Sequence, residues 1–375
     1  MTTLSLCMIV KNESKNLSRC LDSVVRYVDE IVIVDTGSED NTIDIAKQYG
    51  AKVDFFQWCD DFAAARNYAL SKVTGDWVFV IDADEELVCK SDNLRDYLVL
   101  SSEILAFSIM CIDPYHPNMT NFARLNLFRN CVDLRYHDRY HENLKFQNQF
   151  IPNEKVGRIE DLYISLFTSY AEQKSAKNIN RNIPILERAR REEGLSLKLL
   201  YCLAGMYNDA GKVAEAEDCY SEALERLLPN LWNGYPPQDT NFLPSLLFVL
   251  GSYSLLNQDN ETAMLISQNG LKWFSNYPPL IYLAGAVLRS LGFTLGATTY
   301  FQRCLFLGNE KSFPESEPFD RSYITTYPSH DLGCSYYELG EINEAISAFK
   351  LALSFDPDFI SSQSILKQIE KDLVL

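Results

Sequence analysis

Positive charge and histidine are both in short supply in this 375-residue chain. It holds 34 Lys and Arg against 51 Asp and Glu, for a net charge of −17, and 4 His. Recognition of a phosphate backbone needs a basic face, so this balance argues against nucleic-acid binding. An anionic nucleotide would have to be held by a metal, a few Arg or Lys side chains and backbone amides. No stretch of ~20 apolar residues occurs, and no charged segment leads into an apolar one at the start. Those absences predict a soluble, cytoplasmic chain with no transmembrane segment, not secreted by the standard route. The 10 Cys stand at irregular positions with no Cys-x-x-Cys pair. Half of them fall in apolar patterns, which predicts buried free thiols in a reducing compartment. A Gly- and Arg-rich phosphate loop is also missing after the first apolar run, where Lys11-Asn12-Glu13-Ser14 stands. Its absence disfavours a nucleotidyltransferase.

What is present begins with residues 77–86, Trp-Val-Phe-Val-Ile-Asp-Ala-Asp-Glu-Glu. The run from Trp77 to Ile81 reads as a strand buried on both faces, and it stops on Asp82 and Asp84. Ligands of open α/β sheets bind outside the carboxyl ends of such strands. Two carboxylates there suit a hard divalent cation that bridges nucleotide phosphates; a solvated acidic turn is the alternative. Three more apolar runs precede it, Leu4–Val10, Ile31–Val34 and Lys52–Phe56, each followed by a helical pattern. That alternation predicts right-handed crossovers and a mostly parallel sheet. It also puts Glu13, Asp35 and Asp82 on one rim.

Four segments in order resemble the motifs of family-2 glycosyltransferases. They are Leu6-Cys7-Met8-Ile9-Val10-Lys11-Asn12-Glu13, Val34-Asp35-Thr36-Gly37-Ser38-Glu39-Asp40-Asn41-Thr42, Asp60-Asp61-Phe62-Ala63-Ala64-Ala65-Arg66-Asn67 and Ile81-Asp82-Ala83-Asp84-Glu85. The chain is most similar to the bacterial branch with tetratricopeptide repeats behind the catalytic domain. The resemblance implies a GT-A fold, which is Rossmann-like, and a metal-dependent, hexosyltransferase-like transfer with inversion at the anomeric carbon. It assigns Asn12, Glu13 and Asp35 to the base and ribose, and Arg66 to the pyrophosphate or base. Asp82 and Asp84 would hold Mg2+ or Mn2+, with Asp82 also part of the donor site. The residues themselves leave other roles open. Asp, Gly and Ser at 35–38 favour a turn that opens a helix, Asn12 and Glu13 also suit a helix start, and Asp61 reads as an N-cap.

Further along, Arg124-Leu125-Asn126-Leu127-Phe128-Arg129 and Arg139-Tyr140-His141-Glu142-Asn143 resemble the family's acceptor-side elements. His141 is a candidate for metal as a neutral imidazole, or for diphosphate as a charged one. Glu142 is the candidate base for the acceptor proton. One departure stands out: relatives carry a His where this chain has Phe167, ahead of Thr168-Ser169-Tyr170. Residues 171–193 read as a connector helix whose basic face includes Lys174, Lys177 and Arg181.

From about residue 195 helical periodicity takes over with a 34-residue unit, the period of tetratricopeptide repeats. Units begin at Leu197, Pro244, Pro278 and Thr326, with insertions at 231–243 and 312–325 and a terminal helix from Ser361 to Leu373. The predicted organisation is therefore a GT-A domain over 1–168, a connector over 169–194, and a repeat solenoid over 195–375. Such arrays present a groove for a peptide or another subunit. Two functions compete. One is transfer from a nucleotide-diphosphate sugar to a peptide, protein or glycan acceptor, a peptide being the acceptor in the similar bacteriocin S-glycosyltransferases. The other is a degenerate repeat scaffold that binds a protein partner or self-associates.

Overall fold

The computed structural model describes residues 2–90, 94–100, 103–167, 178–238, 242–315 and 317–372. The chain divides into two compact units, Met1–Pro117 with Asn121–Ala216, and Asn118–Thr120 with Glu217–Leu375.

The first unit opens with β1 (Leu4–Val10), α1 (Leu17–Val24), β2 (Glu30–Asp35), α2 (Thr42–Gln48), β3 (Lys52–Phe55), α3 (Phe62–Leu70) and β4 (Trp77–Val80). β1 pairs in parallel with β2 and β4, and β2 in parallel with β3. The two-residue period of a strand sends alternate side chains to opposite faces. Leu4, Leu6, Met8 and Val10 of β1 pack with Leu17, Leu21 and Val24 of α1. Cys7, Val32, Val34, Val78 and Val80 face the other way, with Ala63, Ala69 and Leu70 of α3. Both faces of β1, β2 and β4 are covered, which is why these three read as unbroken apolar runs.

The rest of the sheet is mixed rather than mostly parallel. β5 (Glu85–Cys89) follows directly on Asp84; then come α4 (Leu94–Leu100), β6 (Ala106–Ile112), β7 (Phe122–Arg129) and β10 (Val156–Leu166). The eight strands run in the order β3-β2-β1-β4-β7-β6-β10-β5. β7 lies antiparallel to both β4 and β6, and β5 antiparallel to β10. β8 (Leu134–His137) and β9 (Asn143–Phe146) form a separate hairpin. The described part of the connector is a π-helical turn, Asn178–Asn182, continued by a helix over Ile183–Glu192 with Pro184 in its first turn. Lys174, Lys177 and the 168–170 stretch lie outside the described residues.

Helices over Leu197–Asp209 and Val213–Asn233 follow. The second of these runs into the predicted insertion at 231–243 and contains Pro229. The second unit then stacks helix pairs Leu243–Leu256 with Asn260–Trp273, Pro278–Ser290 with Thr294–Glu310, and Thr326–Glu338 with Ile342–Phe355, closed by Ile360–Asp372. Small residues set the spacing inside a pair. A Cβ on Gly333 would lie 2.7 Å from the Phe349 ring, and one on Gly285 would lie 2.8 Å from Phe301. Among the described residues no helix is long and apolar enough to cross a membrane.

Candidate functional site

Arg66 is the hinge of the rim. The α3 sequence Phe62-Ala63-Ala64-Ala65 buries small side chains against the sheet, and Asp61 caps the helix by accepting the Ala64 N–H at 2.8 Å. Asn67 fastens α3 to β8 by donating to the Tyr136 carbonyl at 2.8 Å and accepting its N–H at 2.9 Å. With its neighbours fixed, Arg66 reaches the carboxyl end of β4, its side chain 13% exposed. It donates from Nη2 to Asp82 Oδ1 at 2.8 Å and from Nε to Glu142 Oε1 at 2.7 Å. One guanidinium thus joins three residues expected to act together, although 76 positions separate Arg66 from Glu142. Burial works against its charge, but Asp82 and Glu142 raise its pKa well above the usual arginine value.

A second guanidinium lies beside the first. Arg124 of β7 donates from Nη2 to both oxygens of Glu85 at 2.7 Å, and its Nη1 lies 3.7 Å from Asp82 Oδ2. Glu85 in turn accepts the Asp82 N–H at 3.0 Å, while the Asp82 carbonyl accepts the Glu85 N–H at 3.0 Å. This reciprocal pair fixes the turn that carries Asp82 and Asp84. Burial pushes the Asp82 carboxyl up, yet Arg66 and then Arg124 bring it below the usual range; Glu85 is raised, chiefly by burial. Arg124 and Glu85 stand inside two of the quoted motifs, but the motif reading gave neither a role of its own. Their signal was an acid directly behind Asp-x-Asp and an arginine in an apolar strand.

The other predicted residues divide between turn-making and rim positions. Asp35 is buried and accepts the N–H groups of Gly37 at 2.9 Å and Ser38 at 3.0 Å. It therefore does the turn's work, and a carboxylate has lone pairs beyond those two bonds. Gly37 adopts φ 107°, a conformation suited to glycine. Asn12, also left-handed at φ 56°, accepts the Glu39 N–H at 2.7 Å and donates its own N–H to Ser38 Oγ at 2.8 Å. Glu13 accepts from Asn16 Nδ2 at 2.8 Å, and its N–H donates to Thr42 Oγ1 at 2.7 Å. The β1 and β2 loops are thus knitted together, and their amides line one strand-end rim.

His141 and Glu142 sit in the β8–β9 turn, where Asp138 and His141 both have positive φ. Lys198 Nζ braces the turn by donating to the His141 carbonyl at 2.9 Å and to Asn143 Oδ1 at 3.1 Å. Desolvation first, then Lys198, pushes the His141 imidazole down to about 4, so it is neutral at pH 7. Solvent reaches the residue, which reduces the size of that effect but not its sign. Among the described residues, Asp82, Asp84 and His141 do not bring three ligand atoms within 4.8 Å of one another. His330, Asp331 and Cys334 do, but Asp331 carries Arg289 and Tyr282, and His330 pairs with Ser362. At position 167, Phe167 donates its N–H to the Asp84 carbonyl at 3.2 Å, and its ring lies under the Arg19 guanidinium at 4.4 Å. Arg181 packs over the Phe62 ring at 5.4 Å and donates to Asn182 Oδ1 at 2.9 Å.

Residues 5–91 match the family model described as Glycosyl transferase family 2, and residues 329–359 match a tetratricopeptide repeat. The chain carries a family-2 glycosyltransferase domain. A TPR repeat-containing protein of Synechococcus elongatus is 46% identical over 144 residues, covering 38% of this chain and 35% of that protein. Glycosyltransferase SunS of Bacillus phage SPbeta is 27% identical over 228 residues, 59% of this chain and 53% of that one. The chain thus spans between 35% and 53% of the length of these two relatives. A solved glucosyl-3-phosphoglycerate synthase from Mycobacterium tuberculosis is 23% identical, covers 31% of this chain and 45% of that one, and has a TM-score of 0.26. A likeness that slight carries no functional conclusion.

Proposed function

We propose that the glycosyltransferase domain moves a sugar from a nucleotide-diphosphate donor to a peptide, protein or glycan acceptor, with inversion and with a divalent cation bound. The observation that carries this reading is the Asp82–Arg66–Glu142 arrangement, which gathers a metal-type carboxylate, a diphosphate-type guanidinium and a base on one strand-end rim. The donor set fits a cation. Asp82, Glu85 and Glu142 pair with two guanidiniums, Arg66 and Arg124, a formal excess of one negative charge to which Asp84, two residues beyond Asp82, adds another, and carboxylate oxygens are hard ligands. A bound Mg2+ or Mn2+ on Asp82 and Asp84 would supply charge neutralisation for the departing diphosphate.

The chain's own residues do the rest. Asn12, Glu13 and the Asp35 turn bind the base and ribose. Arg66 takes the diphosphate, and in doing so exchanges its bonds to Asp82 and Glu142 for bonds to phosphate. That exchange releases the Glu142 carboxylate as the acceptor arrives. The acceptor heteroatom attacks the anomeric carbon from the face opposite the diphosphate. The carbon–oxygen bond to the diphosphate breaks with its electron pair leaving on oxygen, and Glu142 takes the acceptor proton.

Calorimetric titration of UDP- and GDP-sugars with Mn2+, and again with EDTA, tests the reading. Tighter donor binding with metal, largely lost in Asp84→Ala, is expected; equal affinity in EDTA rules out the metal bridge. Glu142→Gln should bind donor and lose transfer. Phe167 favours the scaffold reading, because its backbone touches Asp84 and its ring offers no ligand. Protein that binds donor without turnover, beside an active Phe167→His variant, would support that alternative.

A further inference from the structure

The predicted insertion at 312–325 does not leave the repeats. Each first helix of a pair in the second unit carries a stripe of residues three to four or seven apart, which places them on one helix face. The stripes are Ser245 and Phe248, then Tyr282 and Arg289, then Tyr327, His330 and Cys334. Lateral contacts join the second stripe to the third helix: Tyr282 donates to Asp331, Arg289 bonds Asp331 at 3.0 Å, and the Tyr282 and Tyr327 rings lie 6.3 Å apart.

Residues of the insertion lie on these stripes. Glu317 Oε1 accepts from Ser245 Oγ at 2.5 Å, and Ser245 Oγ also bonds the Tyr277 hydroxyl at 2.9 Å. The buried Phe319 ring meets Tyr277 edge-on at 5.5 Å. Tyr323 packs against Phe248 at 4.9 Å, Tyr282 at 5.2 Å and Tyr327 at 5.1 Å. The backbone of the segment is paired along its edge within the same unit. Phe319 accepts the Thr120 N–H at 2.9 Å, Phe319 N–H donates to Thr120 Oγ1 at 3.0 Å, and Arg321 N–H donates to the Asn118 carbonyl at 2.6 Å. Side chains in pockets with a strand-type backbone pairing make up the recognition mode of an added peptide strand.

We propose that the stripe surface of the repeats is a peptide site, and that the chain's own 317–323 segment occupies it as a tethered ligand. Its external ligand is then an extended peptide with the same chemistry: a carboxylate, a phenyl ring two residues on, and a phenol four residues after that. A tether holds its segment at an effective concentration of order millimolar, so a free peptide competes poorly until the tether is loosened. The proposal concerns the repeats alone and stands or falls without the transfer reaction.

The test uses the full chain and a fluorescein-labelled peptide of residues 312–325, read by anisotropy. Phe319→Ala loosens the tether and should bind the probe at least tenfold more tightly than the wild-type chain. That gain should vanish when Phe248→Ala is added, and with a scrambled probe. Equal probe affinity in wild type and a folded Phe319→Ala protein overturns the proposal, as does a gain that survives Phe248→Ala. Should Phe319→Ala lose its cooperative unfolding transition, Glu317→Gln, which weakens the bond from Ser245, is judged by the same criteria.

Discussion

Arg66 holds two carboxylates; its removal takes the 2.7 Å bond from Glu142 and leaves Asp82 with Arg124 at 3.7 Å. Breaking a buried pair by deleting one partner costs roughly 3–5 kcal/mol. With Asp82 38% exposed and Glu142 15% exposed, Arg66→Ala should lose about 3 kcal/mol, read as a lower urea midpoint with an unchanged slope. Glu30 offers a pH test away from the site. Burial pushes its carboxyl up, but Lys52, Ser5 and Thr74 bring it from 4.5 down to about 2. A depressed folded pKa gives stability that is present above the unfolded value and lost as pH falls toward the folded one. Glu30→Gln should therefore cost about 2 kcal/mol at pH 7, after an allowance for partial solvent screening. The gap to wild type should close between pH 4.5 and 2 in denaturant titrations. At this scale the sequence showed which residue types stand at strand ends, because a carboxylate after an apolar run is a local pattern. It left the Asp35 turn as one of two readings, and it could not show that Arg124 bonds both oxygens of Glu85, 39 residues away.

The strands read most directly were those whose whole length shares one environment. β1, β2 and β4 are buried on both faces and carry continuous Val, Ile and Leu; the repeat helices carry small residues at fixed offsets. β5 opens with two acids and merges with the acidic turn before it. β10 mixes Gly157, Arg158, Glu160 and Asp161 with apolar residues, and its register with β6 shifts between Arg158 and Tyr163. Neither shows a clean two-residue period, so tertiary pairing alone defines them. The spacing rule of the repeats also yields a number. Gly333→Ala should cost about 1–3 kcal/mol from the clash with Phe349, larger than the gain in helix propensity. In a Phe349→Leu background the cost should shrink, and a thermodynamic cycle on the four proteins measures the coupling. Additive losses would mean that the ring does not set the helix spacing.

On the scale of the whole molecule, the boundary between units falls at Ala216 and Glu217, so the helix over Leu197–Asp209 counts with the sheet. Its Lys198 braces the His141–Glu142 turn. A chain ending after Ala216 should therefore keep a structured turn, whereas one ending after Gly194 should exchange the amide hydrogens of residues 138–142 faster. Equal exchange in the two fragments would remove the brace from the account. The repeat periodicity could not place this boundary, since a helix looks the same from either side of it. The order of the sheet carries one last consequence, for solubility. Its two outermost described strands, β3 and β5, are four and five residues long. β3 bears Lys52 and Asp54, which pair with Glu30 and Lys72, and β5 begins with Glu85 and Glu86. Short, charged rims are poor templates for a strand from another molecule. Neither of these edges therefore offers the long, flat, apolar row that edge-to-edge pairing with a second copy requires.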